Sequence, residues 1–576
     1  MNAEKRLKIF VQTLSAGLVF LLSGLVYVQI IRHAAYRDMS EGNRLRVTPL
    51  MASRGAIYDR NGDLLVKDVL SFNVSVIYSR IKDVKTLAGV LNAVCGVPEN
   101  EAEACIKKSR ARPYSPVCVV PDIGIKEAIQ MEEIESDYPG LLLQVSTRRR
   151  YVAGTNGANV LGHVGPINSS EFEKLKHYGY RINDLVGRDG IEKSYDNYLR
   201  GIHGGKQVEV DHLGREIRTL GYREPVPGMD VYLTMDIGLQ EFCDRLLAGK
   251  RGAIVVMDAS NGALFAMASA PSYDPEIFID RRRSDEVGPL LNDSEYPLIN
   301  RAVSGAYPPG SVFKLIVATG ALETGKAVPE TSVVCRGIFR LGRAVYHCWR
   351  KNGHGEQNMT EAIKNSCNIY FYKLGLLLGV DDIARFARKF GFGERTGIDL
   401  PGEARGMVPT RKWKKDRFGE KWYKGETVNY AIGQGYLLVT PLQVARMMSV
   451  FAGRGYLVRP HLVRRIGNVR VNEDNGIKLD ISPETLDTIR EGLAECVNGD
   501  RGTGMKARLS GTVVAGKTGT AQTSKGKSHG WFAGFAPFDG AKLIVVVFDE
   551  YGGKGGYYAA ETAAQVFREA VRLGIL

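Results

Sequence analysis

Ser311 and Lys314 stand three residues apart, between the loop Tyr307-Pro308-Pro309-Gly310 and an apolar run from Leu315 to Leu322. Two prolines and a glycine do not fit a helix interior, so the pattern predicts a loop ending at Gly310 and a buried helix after it. Residues at i and i+3 share a helix face, which sets the ammonium group beside the hydroxyl. A lysine in apolar surroundings loses pKa and can accept the serine proton, while the free N–H groups of a first turn favour a developing oxyanion. This is the chemistry of an activated serine nucleophile. The spacing alone is weak evidence, because at roughly 6–7% usage of each residue about two such pairs arise by chance in a chain this long. Ser79 with Lys82 and Ser524 with Lys527 also match, and neither precedes a buried helix.

Two further clusters strengthen the first. Ser366-Cys367-Asn368 lies between Asn365 and the run Ile369-Tyr370-Phe371-Tyr372, and Lys517-Thr518-Gly519-Thr520 ends a predicted strand, Thr512 to Gly516. The second follows the nucleophile by about fifty residues and the third by about two hundred, an order and spacing hard to obtain by accident. With all three in place, the chain resembles the penicillin-binding proteins and serine β-lactamases. The resemblance implies that Ser311 attacks a terminal peptide carbonyl and Lys314 takes its proton. Ser366 would relay a proton to the leaving amine, Asn368 would orient Lys314 and the substrate amide, and Lys517 would hold the Ser366 hydroxyl. Lys517, Thr518 and Thr520 would bind the substrate carboxylate, the two threonines lying on one side of a strand by its period of two. Gly519 would let a peptide approach the strand edge. The N–H groups of Ser311 and Thr520 would form the oxyanion hole.

More stretches narrow the resemblance. Arg54 to Gly62, Gly187 to Glu192, Thr396 to Glu403, Gly433-Gln434-Gly435 and His529 to Phe535 are similar to landmarks of class B members, above all those of the rod-elongation machinery. The family then implies an α/β (α+β) fold: a β-lactamase-like transpeptidase domain with an antiparallel sheet flanked by helices, on a mixed α/β pedestal. It also implies a D,D-transpeptidase that cross-links peptidoglycan stem peptides through a serine acyl-enzyme and is a target of β-lactams. Implied partners are a D-Ala-D-Ala donor, an amine acceptor, a RodA-type glycosyltransferase and other elongation proteins. Rival readings are a scaffold or activator of the glycan polymerase, and a D,D-carboxypeptidase or β-lactamase-type hydrolase. Against the last, Glu295 and Asn300 precede the nucleophile, the wrong order for a class A β-lactamase.

Elements must position these groups within 576 residues, enough for two or three domains. Ile9 to Ile31 carries no charge and follows Lys5-Arg6-Leu7-Lys8. Twenty-three helical residues cover about 34 Å against a hydrocarbon core of about 30 Å. The reading is a single-pass anchor with a cytoplasmic tail, 1–8, a membrane span, 9–31, and an extracytoplasmic remainder outside the inner membrane. A pedestal, 37–228, is expected to end at Pro225-Val226-Pro227-Gly228, with the transpeptidase domain at 229–576. In the pedestal, Ile57 to Val66 reads as a hairpin, Ser71 to Ile77 as another strand, Ile125 to Ile134 as a helix, and Gly190 to Arg200 as an amphipathic helix. The net charge of +14 is spread out and no nucleic-acid motif accompanies it, so the membrane and an anionic polymer fit better than nucleic acid.

Eight cysteines in so long a chain do not make a disulfide scaffold. Cys335, Cys348, His354 and Cys367 bracket the first two motifs and supply the donors of a closed zinc set, with His347 as an alternative ligand. Their spacing is not that of a zinc finger, so structural zinc, packed thiols and one disulfide all stay open. Some relatives bind zinc near the active site, with carboxylates where Cys335 and Cys348 stand here. The acyl chemistry itself requires no cofactor.

Overall fold

The computed structural model describes residues 3–34, 36–37, 45–182, 184–211, 216–471, 476–523 and 526–576. Residues 1–2 of the predicted tail, 38–44, 183 and 212–215 of the predicted pedestal, and Ser524 and Lys525 of the chance match lie outside them. The uncharged N-terminal run forms a helix from Ala3 to Val26, continued by a wider turn, Tyr27–Ile31. Together they make 29 residues, with an 18-residue window of mean hydropathy 2.1, long and apolar enough to cross a membrane.

Two compact units divide the rest. The smaller takes residues 1–54, 68–148 and 201–228. Its helix Val84–Cys95 starts at Asp83, whose side chain accepts from the Lys85 N–H, and stops at Gly96 in the left-handed conformation. That helix, Glu99–Lys108 and Ile125–Glu135 enclose a core with Val74, Val76, Val119 and Leu141. A second, antiparallel sheet joins Leu45–Leu50, Gly204–Val210 and Glu216–Arg223. The two pedestal strands expected around Leu65 and Ser71 are one strand, Leu64–Val76, because Lys67-Asp68-Val69-Leu70 contains no glycine, proline or asparagine to turn the chain. The helix expected from Gly190 to Arg200 is two short pieces, Gly190–Ser194 and Asp196–Leu199, separated at Tyr195.

The larger unit gathers residues 55–67, 149–200 and 229–576. Segments that the linear reading gives to the pedestal thus pack with the C-terminal part. Ile57–Tyr58 pairs in parallel with Val231 and Tyr232. Arg150 binds Glu276 at 2.9 Å, and the Tyr195 hydroxyl donates to Asp399 at 2.9 Å.

At the centre are five antiparallel strands: β1 (Gly252–Asp258), β2 (Leu264–Ala270), β3 (Ala515–Ala521), β4 (His529–Ala536) and β5 (Leu543–Asp549), in the order β2-β1-β5-β4-β3. Nearly every residue in them is buried, because both faces are covered. One face packs against the C-terminal helix α4 (Tyr558–Arg572) through Val545, Phe532, Ala563 and Phe567. The other packs Val546, Ala533 and Trp531 into the main core, which includes α1 (Lys314–Glu323), α2 (Asn368–Leu378) and α3 (Pro483–Asn498). β3 is the edge strand beside the nucleophile.

Candidate active site

The loop-to-helix transition predicted at Gly310 is a tight turn of 3₁₀-helix, Gly310–Phe313, and α1 begins at Lys314. Gly310 has φ +55°, and its N–H donates to the Gly433 carbonyl at 3.0 Å. A methyl group on Gly310 would fall 2.7 Å from the Thr520 oxygen, so only glycine allows this turn to lie against β3. Trp531 donates from its indole to the Pro308 carbonyl at 3.0 Å and supports the loop from below. Ser311 is half-buried on this turn, next to the third motif.

Lys314 is fully buried, and its Nζ lies 2.7 Å from Asn368 Oδ1, 3.2 Å from Ser366 Oγ and 2.8 Å from the Ser366 carbonyl. These contacts join the first two motifs across 52 residues of chain. Burial, and then the positive charge of Lys517, lower the Lys314 pKa to about 7. A fraction of Lys314 is therefore neutral near pH 7 and able to accept a proton. Asn368 Oδ1 accepts from this ammonium and sets its direction.

The third motif occupies the middle of β3 and does not end a strand, because Lys517 to Ala521 pairs in register with His529 to Ala533. Lys517 is fully buried, and burial lowers its pKa. Its ammonium donates to the Thr518 carbonyl at 3.0 Å. Among the described residues the Ser366 hydroxyl is held by Lys314 and not, as expected, by Lys517. The Thr518 hydroxyl donates to Thr503 at 3.1 Å, and the exposed Thr520 hydroxyl accepts from the Gly555 N–H at 3.3 Å. Gly519 has a further reason to lack a side chain. A Cβ there would meet Pro309 O at 2.8 Å and Val312 at 3.0 Å, so it makes room for the nucleophile turn.

The second motif has its own support. Ser366 adopts φ +50°, a strained conformation for a residue with a side chain. The Trp349 indole donates to the carbonyls of Asn365 at 3.0 Å and Ser366 at 3.2 Å. Asn365 donates to Gln357 at 2.8 Å. Beneath them, one donor atom from each of Cys335, Cys348, His354 and Cys367 lies within 4.8 Å of all the others. His347 is not part of this group: its backbone carbonyl accepts from the Tyr372 hydroxyl at 3.2 Å. His354 Nδ1 is 3.6 Å from Cys335 Sγ and 3.5 Å from Cys348 Sγ. Zinc–sulfur bonds of about 2.3 Å and zinc–nitrogen bonds of about 2.0–2.1 Å give a tetrahedral S···N edge of about 3.5 Å, so the donors fit that ion. All eight cysteines are free thiols. Hydrogen bonding between Cys367 and Cys348 pulls the Cys348 thiol well below the ordinary range and pushes Cys367 up, which makes Cys348 a ready thiolate.

Three supporting residues carry no role in the sequence reading. Gly433 has φ +73°, and a Cβ on it would lie 2.1 Å from the Gly310 oxygen. Gln434 reaches the Thr520 carbonyl at 3.5 Å, and Trp349 caps the second motif. The Gly433-Gln434-Gly435 stretch is a visible signal, but it tells nothing of which backbone it touches.

Comparison with known proteins agrees with this geometry. Residues 252–572 match the family model of the penicillin-binding protein transpeptidase domain, and 49–233 match that of the penicillin-binding protein dimerisation domain. The chain is 34% identical to the peptidoglycan D,D-transpeptidase MrdA of Haemophilus influenzae, over 95% of this chain and 89% of that protein. It superposes with TM-score 0.83 on penicillin-binding protein PBP2 of Helicobacter pylori, solved in complex with MreC, at 30% identity over 92% of this chain and 100% of the other. A chain from a peptidoglycan synthase complex, in a structure titled for the coordination of polymerization and crosslinking, matches with TM-score 0.75 and 32% identity over 99% of both chains. A buried lysine that joins the first two motifs, together with these likenesses along nearly the whole chain, places the protein in the penicillin-binding protein transpeptidase family.

Proposed function

We propose that this protein is a peptidoglycan D,D-transpeptidase that works by a serine acyl-enzyme. The carrying observation is the desolvated Lys314 ammonium, held 2.7 Å from Asn368 and 3.2 Å from Ser366 at the base of the Ser311 turn. Ser311 Oγ attacks the carbonyl of the D-Ala-D-Ala bond and its proton passes to Lys314. The tetrahedral oxyanion collapses and the C–N bond breaks. The leaving D-alanine amine takes a proton through Ser366, whose hydroxyl touches Lys314. An acceptor amine then attacks the ester, a new peptide bond forms and Ser311 regains its proton. Lys517 supplies positive charge for the donor's carboxylate, with Thr518 and Thr520 beside it.

Cys335, Cys348, Cys367 and His354 would hold a structural zinc ion. Its chemistry would be to keep three buried sulfurs as thiolates and to brace the strand-to-helix segment that carries Ser366 and Asn368. It takes no part in acyl transfer. The basic residues before the apolar helix support a cytoplasmic N-terminus with the catalytic unit outside the inner membrane. The titles of the H. pylori complex and of the synthase complex support partners from the elongation machinery, and a RodA-type polymerase is the one expected.

Labelling the purified protein with fluorescent penicillin, digesting it and locating the adduct by mass spectrometry tests the enzyme reading. One stable equivalent on Ser311, absent in Ser311→Ala, is expected. An adduct elsewhere, or rapid turnover of nitrocefin, would count against a transpeptidase.

A further inference from the structure

A second concave site lies at the opposite edge of the five-stranded sheet from Ser311. It encloses about 820 Å³ between the β1–β2 turn, Phe265 of β2 and the hairpin Val463–Ile466/Val469–Arg470. β2 is four strands from β3, about 19 Å at ordinary strand spacing, so this cavity is not part of the catalytic site.

The lining is cationic: Arg60, Arg464, Arg465 and Arg470 face one carboxylate, Asp258. Asp258 is already engaged by the Ser260 N–H at 2.8 Å and the Ser260 hydroxyl at 2.5 Å. Asp59, beside Arg60 in sequence, accepts the backbone N–H groups of Asn61, Asp63 and Ile237. Among the described residues no carboxylate pairs with Arg60, Arg464 or Arg465. Two of the three guanidinium groups are nevertheless held in place. Arg60 lies over the Phe265 ring at 4.4 Å, and Arg465 over Tyr232 at 3.6 Å, with Tyr232 stacked on Tyr58 at 4.9 Å. Arg60 Nη1 is buried with no hydrogen-bond partner among the described residues. Burial, and then the charges of Arg465 and Arg60, disfavour the charged form of Arg464.

Like charges kept at close quarters cost stability unless something neutralises them. A solvated basic surface would spread its guanidinium groups into water. Here two are stacked on aromatic rings and one has a buried, unsatisfied donor. We propose that this cavity binds a phosphate-bearing anion, a pyrophosphate or phosphodiester group. The planar fork of arginine matches two oxygens of one phosphate, and several forks suit a multiply charged ligand better than a single carboxylate. Asn261 and Asn468 line the same space and can bond to further phosphate oxygens. Its volume lies in the range of ordinary ligand pockets, about 300–1,000 Å³, so more than a bare phosphate fits.

Titration calorimetry of the full chain in neutral detergent tests this with two probes, sodium pyrophosphate and dihexanoyl-phosphatidylglycerol below its micelle concentration. Dihexanoyl-phosphatidylcholine is the control. Saturable binding with Kd below about 1 mM is expected for at least one anionic probe. Pyrophosphate alone would indicate a soluble ligand, and phosphatidylglycerol binding in competition with pyrophosphate would indicate a lipid headgroup. The double variant R464E/R465E should weaken binding by about tenfold or more while Ser311 acylation by penicillin stays unchanged. The milder R464Q, should the double variant fail to fold, is expected to weaken binding by about threefold. Absence of saturable binding by either anion, or unchanged affinity in a variant that acylates normally, overturns the proposal.

Discussion

The two sides of the catalytic site are built differently. On the side of Ser311 and β3, main chain meets main chain, and glycines at 310, 433 and 519 permit approaches that a single methyl group would block. On the side of Ser366 and Asn368, position is set by side chains: the Trp349 indole, the Lys314 ammonium, Gln357, and the cluster of three cysteines and a histidine. A backbone fit is rigid and fails abruptly when a Cβ is added. A side-chain framework is adjustable and depends on protonation, redox state and metal supply. The Ser311 turn therefore sits in the inflexible half, and Ser366 and Asn368 sit in the tunable half.

This contrast can be broken most sharply at Gly433. With a positive φ and a Cβ that would lie 2.1 Å from the Gly310 oxygen, Gly433→Ala must displace the nucleophile turn. Its penicillin acylation rate is expected to fall about a hundredfold. Gly419→Ala, equally left-handed but in open space, should change it less than twofold by the same stopped-flow measurement.

On the other side, Cys348→Ser should lower zinc, measured by plasma emission, from about one equivalent to under a tenth, and slow acylation by roughly tenfold. Wild-type protein with under a tenth of an equivalent would end the zinc reading. The pH profile comes next. Lys314 accepts a proton only when neutral, so acylation should rise with pH through about 7 and level off above it. The rate at pH 8 should exceed that at pH 6 by about tenfold, and a flat profile would remove Lys314 as the base. The smallest effect is expected for Trp349→Phe, which keeps the ring over His354 but loses two hydrogen bonds to the second motif. A fall of about threefold in acylation, with zinc retained, would separate the indole's contribution from the metal's.

Much of this site was legible in the sequence, because its chemistry is local to short motifs. Lys314 meets Ser366 and Asn368 of the second motif, while the Lys517 ammonium bonds to the Thr518 carbonyl. The elements with a strong period were legible too: the apolar patterns Gly252 to Asp258, Ala263 to Ala268, Leu543 to Phe548 and Ala559 to Leu573 lie within two residues of β1, β2, β5 and α4. What escaped was set by distant partners. β3 extends past Gly516 because β4 pairs with the whole motif, which no local propensity reveals. That Gly519 makes room for a neighbouring loop is visible only in its contacts with Pro309 and Val312. The role of Trp349 was not legible, since its partners are two backbone carbonyls, which look alike at every position.

The order in which the chain visits its two compact units has a practical side. Residues 55–67 and 149–200 belong to the larger unit, although 68–148 and 201–228 do not. A gene fragment opened at codon 229 would leave Val231 without its parallel neighbour Ile57, and would drop both the buried Arg149–Glu192 ion pair and the Tyr195 anchor of Asp399. During synthesis the earliest of these pieces must wait hundreds of residues for their partners, so the catalytic unit cannot close until the last of its strands has left the ribosome.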